Sequence, residues 1–194
     1  MNLENDPAEI GQQYFYGEGK RKNYKKAFPY LLIAAKKGDA HCQNLVGYSF
    51  DLGLGVNRDK KLARMWYERA AESGDLDGIY NLALMYSKGR GSKVSASRAF
   101  SLYKLGAERG DASCQCNLAI AYLDGLGTSR NTQEGLRWLR KSASRGDKKA
   151  QFNLGMMYLN GEIVNASEQR AKAWLSKASK QGSEKADKIL RTLQ

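Results

Sequence analysis

His41 is the only imidazole among 194 residues, and imidazole is the side chain that most readily moves a proton near neutral pH. Nucleophilic catalysis sets a serine, cysteine or carboxylate beside such a base. None stands at a spacing from His41 that builds this pairing, and His41 falls in the first turn of an expected helix. A solvated or capping role is expected; no catalytic residue is assigned and the chain reads as non-enzymatic. Cys114-Gln115-Cys116 offers two thiols but lacks the spacing and the second ligand pair of a structural zinc site, so no metal is expected. Gly-x-Gly runs such as Gly53-Leu54-Gly55 can cradle phosphate when they follow a strand. Here they follow a helical pattern and recur, so they read as turns, and no cofactor is expected. What remains is charge: 32 lysines and arginines against 20 acids give +12 and attract an acidic partner, whether protein, nucleic acid or anionic membrane.

The elements that carry these residues emerge when the chain is written in rows of 36. Gly17, Gly53, Gly89, Gly125 and Gly161 fall in one column, followed two residues on by Gly19, Gly55, Gly91 and Gly127, with Ile163 the break. A second column holds Ala27, Ala63, Ala99, Gly135 and Ala171. Tyr30-Leu31, Trp66-Tyr67, Leu102-Tyr103, Trp138-Leu139 and Trp174-Leu175 form a third, and small pairs such as Ala34-Ala35 follow. In the first half of a row, residues such as Gly78, Leu82 and Tyr86 repeat at i, i+4 and i+8, one face of a helix A. In the second half, Ala63, Trp66, Tyr67, Ala70 and Ala71 mark an amphipathic helix B. Each row is an αα-hairpin that cannot bury its faces alone, so stability must come from stacking, with the aromatic and leucine pairs filling the gaps.

Four rows close with Gly-Asp and the fifth with Gly182-Ser183: glycine ends helix B left-handed, and the following oxygen caps the next helix A. The expected repeats run 4–39, 40–75, 76–111, 112–147 and 148–183, with a capping helix at 184–194, in one domain, 1–194. Pro29 inside the first helix B is expected to bend or delay it and to make the first repeat the most irregular. Cys42 and Cys114 share a slot two repeats apart, roughly 20 Å for helices spaced by about 10 Å, and Cys114 and Cys116 diverge on one helix, so all three are expected to be buried free thiols. Met1 to Pro7 carries acid where a secretory signal carries lysine or arginine, and no apolar run is long enough to span a membrane. The expected location is cytoplasmic, or periplasmic or secreted if a signal was removed.

The stretches Asn153-Leu154-Gly155-Met156-Met157-Tyr158-Leu159-Asn160-Gly161, Gly53-Leu54-Gly55-Val56 and Ala63-Arg64-Met65-Trp66-Tyr67-Glu68-Arg69-Ala70-Ala71 resemble the Sel1-like repeat proteins, relatives of tetratricopeptide repeats. The resemblance runs from about Pro7 to Gly182. It implies an all-α, right-handed α/α superhelix whose A helices line a concave surface, and an adaptor or scaffold role, often in bacteria and in some members as an immunity or virulence-associated protein. The cysteine pairs of the family's secreted branch are missing, which argues against a β-lactam-type hydrolase.

With Leu82 and Tyr86 in the core, positions 77, 80, 84 and 88 point the other way. The equivalent columns place Tyr16, Tyr48, Tyr80, Leu84, Ile120, Phe152 and Met156 along a concave, nearly uncharged strip suited to an apolar segment of a partner protein. Seven cations and no acid lie between Lys20 and Lys37. Lys20, Arg21, Lys22, Lys25, Lys26, Arg64, Arg137 and Arg140 are assigned to a basic convex patch. The expected function is a protein-binding module, with an acidic surface or apolar segment on its partner. Nucleic-acid or anionic-surface binding through the basic face is the alternative. Nucleic acid is disfavoured because the aromatics of helix B fall in core columns.

Overall fold

The computed structural model describes residues 6–193, which form eleven α-helices and no strand. The expected leader features at residues 1–5, the start of the first repeat at residue 4 and the final residue of the cap lie outside this range. The A helices are α1 (Pro7–Tyr16), α3 (Ala40–Leu52), α5 (Leu76–Lys88), α7 (Ala112–Asp124) and α9 (Lys148–Asn160). The B helices are α2 (Tyr24–Lys36), α4 (Lys60–Glu72), α6 (Ala96–Glu108), α8 (Thr132–Ser144) and α10 (Glu168–Lys180), and α11 (Glu184–Thr192) follows. From α2 onward every start is the same step from its equivalent, so the 36-residue period is kept in three dimensions. Backbone contacts divide the chain into two compact units, Met1–Leu102 and Tyr103–Gln194, with the division inside α6.

The caps explain the register. Asp39, Asp75, Asp111 and Asp147 each accept a bond from the backbone N–H three residues on, opening the next A helix. Asn23, Asp59, Asn131 and Ser167 do the same for B helices. The repeating small and aromatic columns form the core: Ala27, Ala63, Ala99, Gly135 and Ala171 are buried, as are Trp66, Tyr67, Tyr103, Trp138 and Leu139. Tyr30 departs from its column, since 37% of its surface is exposed.

Pro29 does not delay its helix. α2 runs through it with the length and register of the other B helices. Pro29 lies on the exposed side of α2, where the Lys25 carbonyl that loses its N–H partner can turn to water. The irregular element of the first repeat is α1, shortened to ten residues because Asp6 caps it and Pro7 occupies its first position.

Two polar devices were not apparent from the sequence. Buried Gln43, Gln115 and Gln151 each donate back to a carbonyl near the end of the preceding B helix, at Ala35, Ala107 and Ala143. Ser73 closes the first clip on the Gln43 carbonyl oxygen and Gln181 closes the third on that of Gln151. At the second, Arg145 stands in the equivalent position but donates to the Gly110 carbonyl, and Gln115 Oε1 is left without a hydrogen bond. The other device is Asp51, nearly buried, which binds Lys60 Nζ at 2.5 Å and lies 3.8 Å from Arg90.

Cys42, Cys114 and Cys116 are buried and form no disulfide. Burial is the main cause that pushes the Cys42 and Cys116 thiols up to about 12, so neither carries appreciable thiolate at neutral pH.

Candidate protein-binding site

In the first unit, four rings from α1, α2 and α3 converge beside α5. Phe15 is buried and holds Tyr16, Tyr24 and Tyr48 around it edge to face, at 5.2, 5.1 and 6.3 Å between ring centres. Tyr16 and Tyr48 remain 42% and 38% exposed. They border a cavity of about 380 Å³ that Lys22, His41, Asn44, Asp77 and Asn81 complete. The Asn81 amide donates to the Asn44 oxygen at 2.9 Å, which fixes both side chains across α3 and α5.

His41 is more than a solvated cap residue. Its Nε2 is 2.9 Å from the Tyr16 hydroxyl, its ring stacks on that of Tyr16 at 6.3 Å, and its Nδ1 is 3.6 Å from an Asp75 oxygen. Asp75 is the cap residue of α5, so the turn that starts one helix also orients the imidazole on another. Asp75 chiefly, helped by Asp77 and Asp39, holds the His41 imidazolium above the ordinary histidine value against the opposing effect of partial burial. Burial and Asp77 raise the Tyr16 hydroxyl in turn. The sequence signal was faint: His41 and Asp75 lie 34 residues apart, at the two ends of one repeat, and only the closing of the α3–α4 hairpin brings them together.

A prediction follows from the single histidine. Its NMR titration should show a midpoint above the ordinary value near 6.5, and Asp75→Asn, which keeps a capping oxygen, should move it down. Because the folded value is raised, the stabilisation is complete below about 6.5 and is lost as pH climbs through the folded midpoint. His41→Gln should remove that slope from the thermal melts.

The residues expected along the strip divide between the units. Tyr16, Tyr48, Tyr80 and Leu84 lie in the first, where Tyr80 and Leu84 are half-buried on α5. Ile120, Phe152 and Met156 lie in the second and are half-buried too. Phe152 and Met156 pack against Leu175, Ala178 and Ala186 beside the terminal helix. Phe152 also floors a hollow of about 350 Å³ whose rim carries Lys148, Lys149 and Lys185. Neither face is uncharged: the first holds Asp77 beside Lys22, and the second is ringed by lysines. Helical spacing gave the direction of each side chain; of the charges, Asp77, Lys148 and Lys149 sit in the first turns of α5 and α9, Lys22 in a turn and Lys185 in the terminal helix.

The basic patch also resolves into parts. Arg64 pairs with Glu68 and donates to the Gly91 carbonyl, and Arg137 pairs with Glu134 and lies over the Trp138 ring. Arg140 is exposed on α8. Lys20, Arg21, Lys22 and Lys26 gather with Tyr14 and Asn23 around a cleft of about 550 Å³, and Lys25 is exposed at the start of α2.

Comparison with known proteins agrees with this architecture. The Sel1 repeat model matches residues 8–39, 40–75, 76–111, 112–147 and 148–183. A Sel1 repeat protein from Oxalobacter formigenes is 32% identical, with a TM-score of 0.85 over 90% of this chain and 72% of that one. A protective antigen of uropathogenic Escherichia coli with an SLR fold is 31% identical, with a TM-score of 0.83 over 96% of this chain but 40% of that longer one. An immunity protein of Pseudomonas aeruginosa shares the fold at 15% identity and a TM-score of 0.66, over 96% of this chain and 70% of that one. No curated protein matches the sequence closely enough to count as a relative. Five matched repeats in unbroken register, each folded as the hairpin its columns require, make this chain a member of the Sel1 repeat family.

Proposed function

We propose that the protein is a non-catalytic adaptor that grips a partner protein through the tyrosine-lined cavity of α1, α3 and α5. Sel1 repeat proteins are protein-interaction modules. The observation that carries the reading here is the pair of exposed rings, Tyr16 and Tyr48, held by Phe15 and flanked by fixed amides and an orientated imidazole. Rigid tyrosines lose little entropy on contact and combine apolar area with a hydroxyl, which is why such rings dominate protein interfaces. The partner would offer an apolar or aromatic segment to this cavity, with acidic groups drawn by the surrounding cations. A finer version is an immunity or virulence-associated protein that neutralises a toxin or effector.

The test is affinity capture from native lysate with the partner identified by mass spectrometry, repeated with Tyr16→Ser/Tyr48→Ser. Both rings are exposed, so melting should change little, while a lost hot-spot pair should weaken capture by about 30-fold or more. Full capture by the double variant would remove the cavity from consideration. Identification of the partner as a secreted toxin would support the finer version, and a partner of another kind would reject it.

A further inference from the structure

The seven cations between Lys20 and Lys37 differ from those on the other B helices in what surrounds them. On each of the other B helices part of the charge is offset along the helix, by the pairs Arg64–Glu68, Lys104–Glu108, Arg137–Glu134 and Lys172–Glu168. Between residues 20 and 37 there is no acid, and among the described residues none of the seven cations lies within ion-pair distance of a carboxylate. Lys20 and Lys26 instead approach one ring, Tyr14, at 4.8 and 5.7 Å. Lys22 lies over a second ring, Tyr24, at 5.9 Å, and apart from these ring contacts repulsion among the cations is relieved by water or by an external anion.

The outer face of α2 extends this cluster. At roughly 100° per residue, Lys25, Lys36, Pro29, Ile33, Lys26, Lys37 and Tyr30 fall in that order within an arc of roughly 140°, and all seven are exposed. The opposite side, Ala27, Leu31, Ala34 and Ala35, is buried. Lysines therefore stand at both ends of a face whose middle shows Tyr30 and Ile33, the latter 46% exposed. A nucleic-acid backbone rewards the cations but not the aliphatic centre, and the Tyr14 ring that could stack on a base is already covered by ammonium groups. An anionic bilayer rewards both: headgroups take the lysines, and the apolar middle enters the boundary beneath them.

We propose that the α1–α2 turn and the outer face of α2 form a docking surface for an anionic lipid bilayer, adjoining the tyrosine cavity at Lys22 but not requiring the partner bound there. The chain would lie on the membrane without crossing it, consistent with the lack, among the described residues, of any helix long and apolar enough to span one.

Cosedimentation of the full chain with vesicles of phosphatidylcholine alone, or with about 30% phosphatidylglycerol, tests this directly. The protein should pellet only with the anionic vesicles and be released by salt. Lys20→Gln/Arg21→Gln/Lys25→Gln should weaken binding by about 100-fold, at about fivefold per charge. Tyr30→Ser/Ile33→Ser should weaken it by about tenfold with an unchanged melting temperature. Failure to bind anionic vesicles at low salt overturns the proposal. So does undiminished vesicle binding by Tyr30→Ser/Ile33→Ser, or binding of a DNA duplex as tight as that of the vesicles, which would mark a general polyanion surface.

Discussion

Gly55→Ala should lower the melting temperature of the first unit by about 10–20 °C, whereas Gly19→Ala, one repeat earlier in the same column, should lower it by about 5 °C. Both glycines have positive φ, 74° and 66°, so both variants bear the left-handed penalty of about 1 kcal/mol. They differ in what a methyl group meets. At Gly19 nothing lies within 4 Å, while at Gly55 the new carbon would sit 2.3 Å from the Tyr24 carbonyl oxygen and 2.5 Å from its carbon. Those atoms belong to the first turn of α2 and cannot rotate away like a side-chain tip. The loop must retreat, at a further cost of about 2 kcal/mol or more. Gly91, where the distance to the Lys60 carbonyl oxygen is 2.2 Å, should behave like Gly55. Equal melting of the Gly19 and Gly55 variants by circular dichroism would show that the turn is not held against the preceding helix.

Asp51→Leu should cost about 2 kcal/mol, and Asp51→Leu/Lys60→Thr should recover most of it. Asp51 is 7% exposed and gathers Lys60 and Arg90, joining the turns of two successive repeats. Without it, Lys60 keeps only the Asp51 backbone carbonyl as a partner. The penalty is moderate because the Lys60 and Arg90 side chains are 33% and 43% exposed and can reach water. The fourth repeat shows a solution without charge: its equivalents of Asp51 and Lys60 are Leu123 and Thr132. Copying that pair removes the ions together, which is commonly neutral where removing one is not. Denaturant unfolding of the wild type, both single variants and the double variant gives the coupling energy. A coupling near zero would show that Asp51 and Lys60 act independently.

The candidate site was legible only in part. Tyr16 and Tyr48 lie on one exposed face because helical spacing fixes the direction of a side chain once its core neighbours are known. Spacing did not show that Phe152 and Met156 pack against a terminal cluster, because that depends on where α11 lands. Nor did it show that Lys22, assigned with the basic face, also borders the tyrosine cavity, since Lys22 lies in a turn without periodic direction. His41 looked solitary because its partners are distant in sequence: Tyr16 comes from the repeat before, and Asp75 from the far end of its own repeat.

By itself, the sequence determined the hairpins, their period, their caps and most of their buried columns, because these follow from local rules applied five times: apolar spacing, left-handed glycine and an oxygen at each helix start. Tertiary structure alone decided which polar side chains meet. The Gln43 and Gln151 clips, the Asp51 cluster and the Tyr16–His41–Asp75 chain all join residues of different repeats. Such contacts span about 30 residues or fewer in the clips and up to 39 at Arg90, and they depend on how one hairpin seats on the next. Periodicity constrains that seating without specifying the partners.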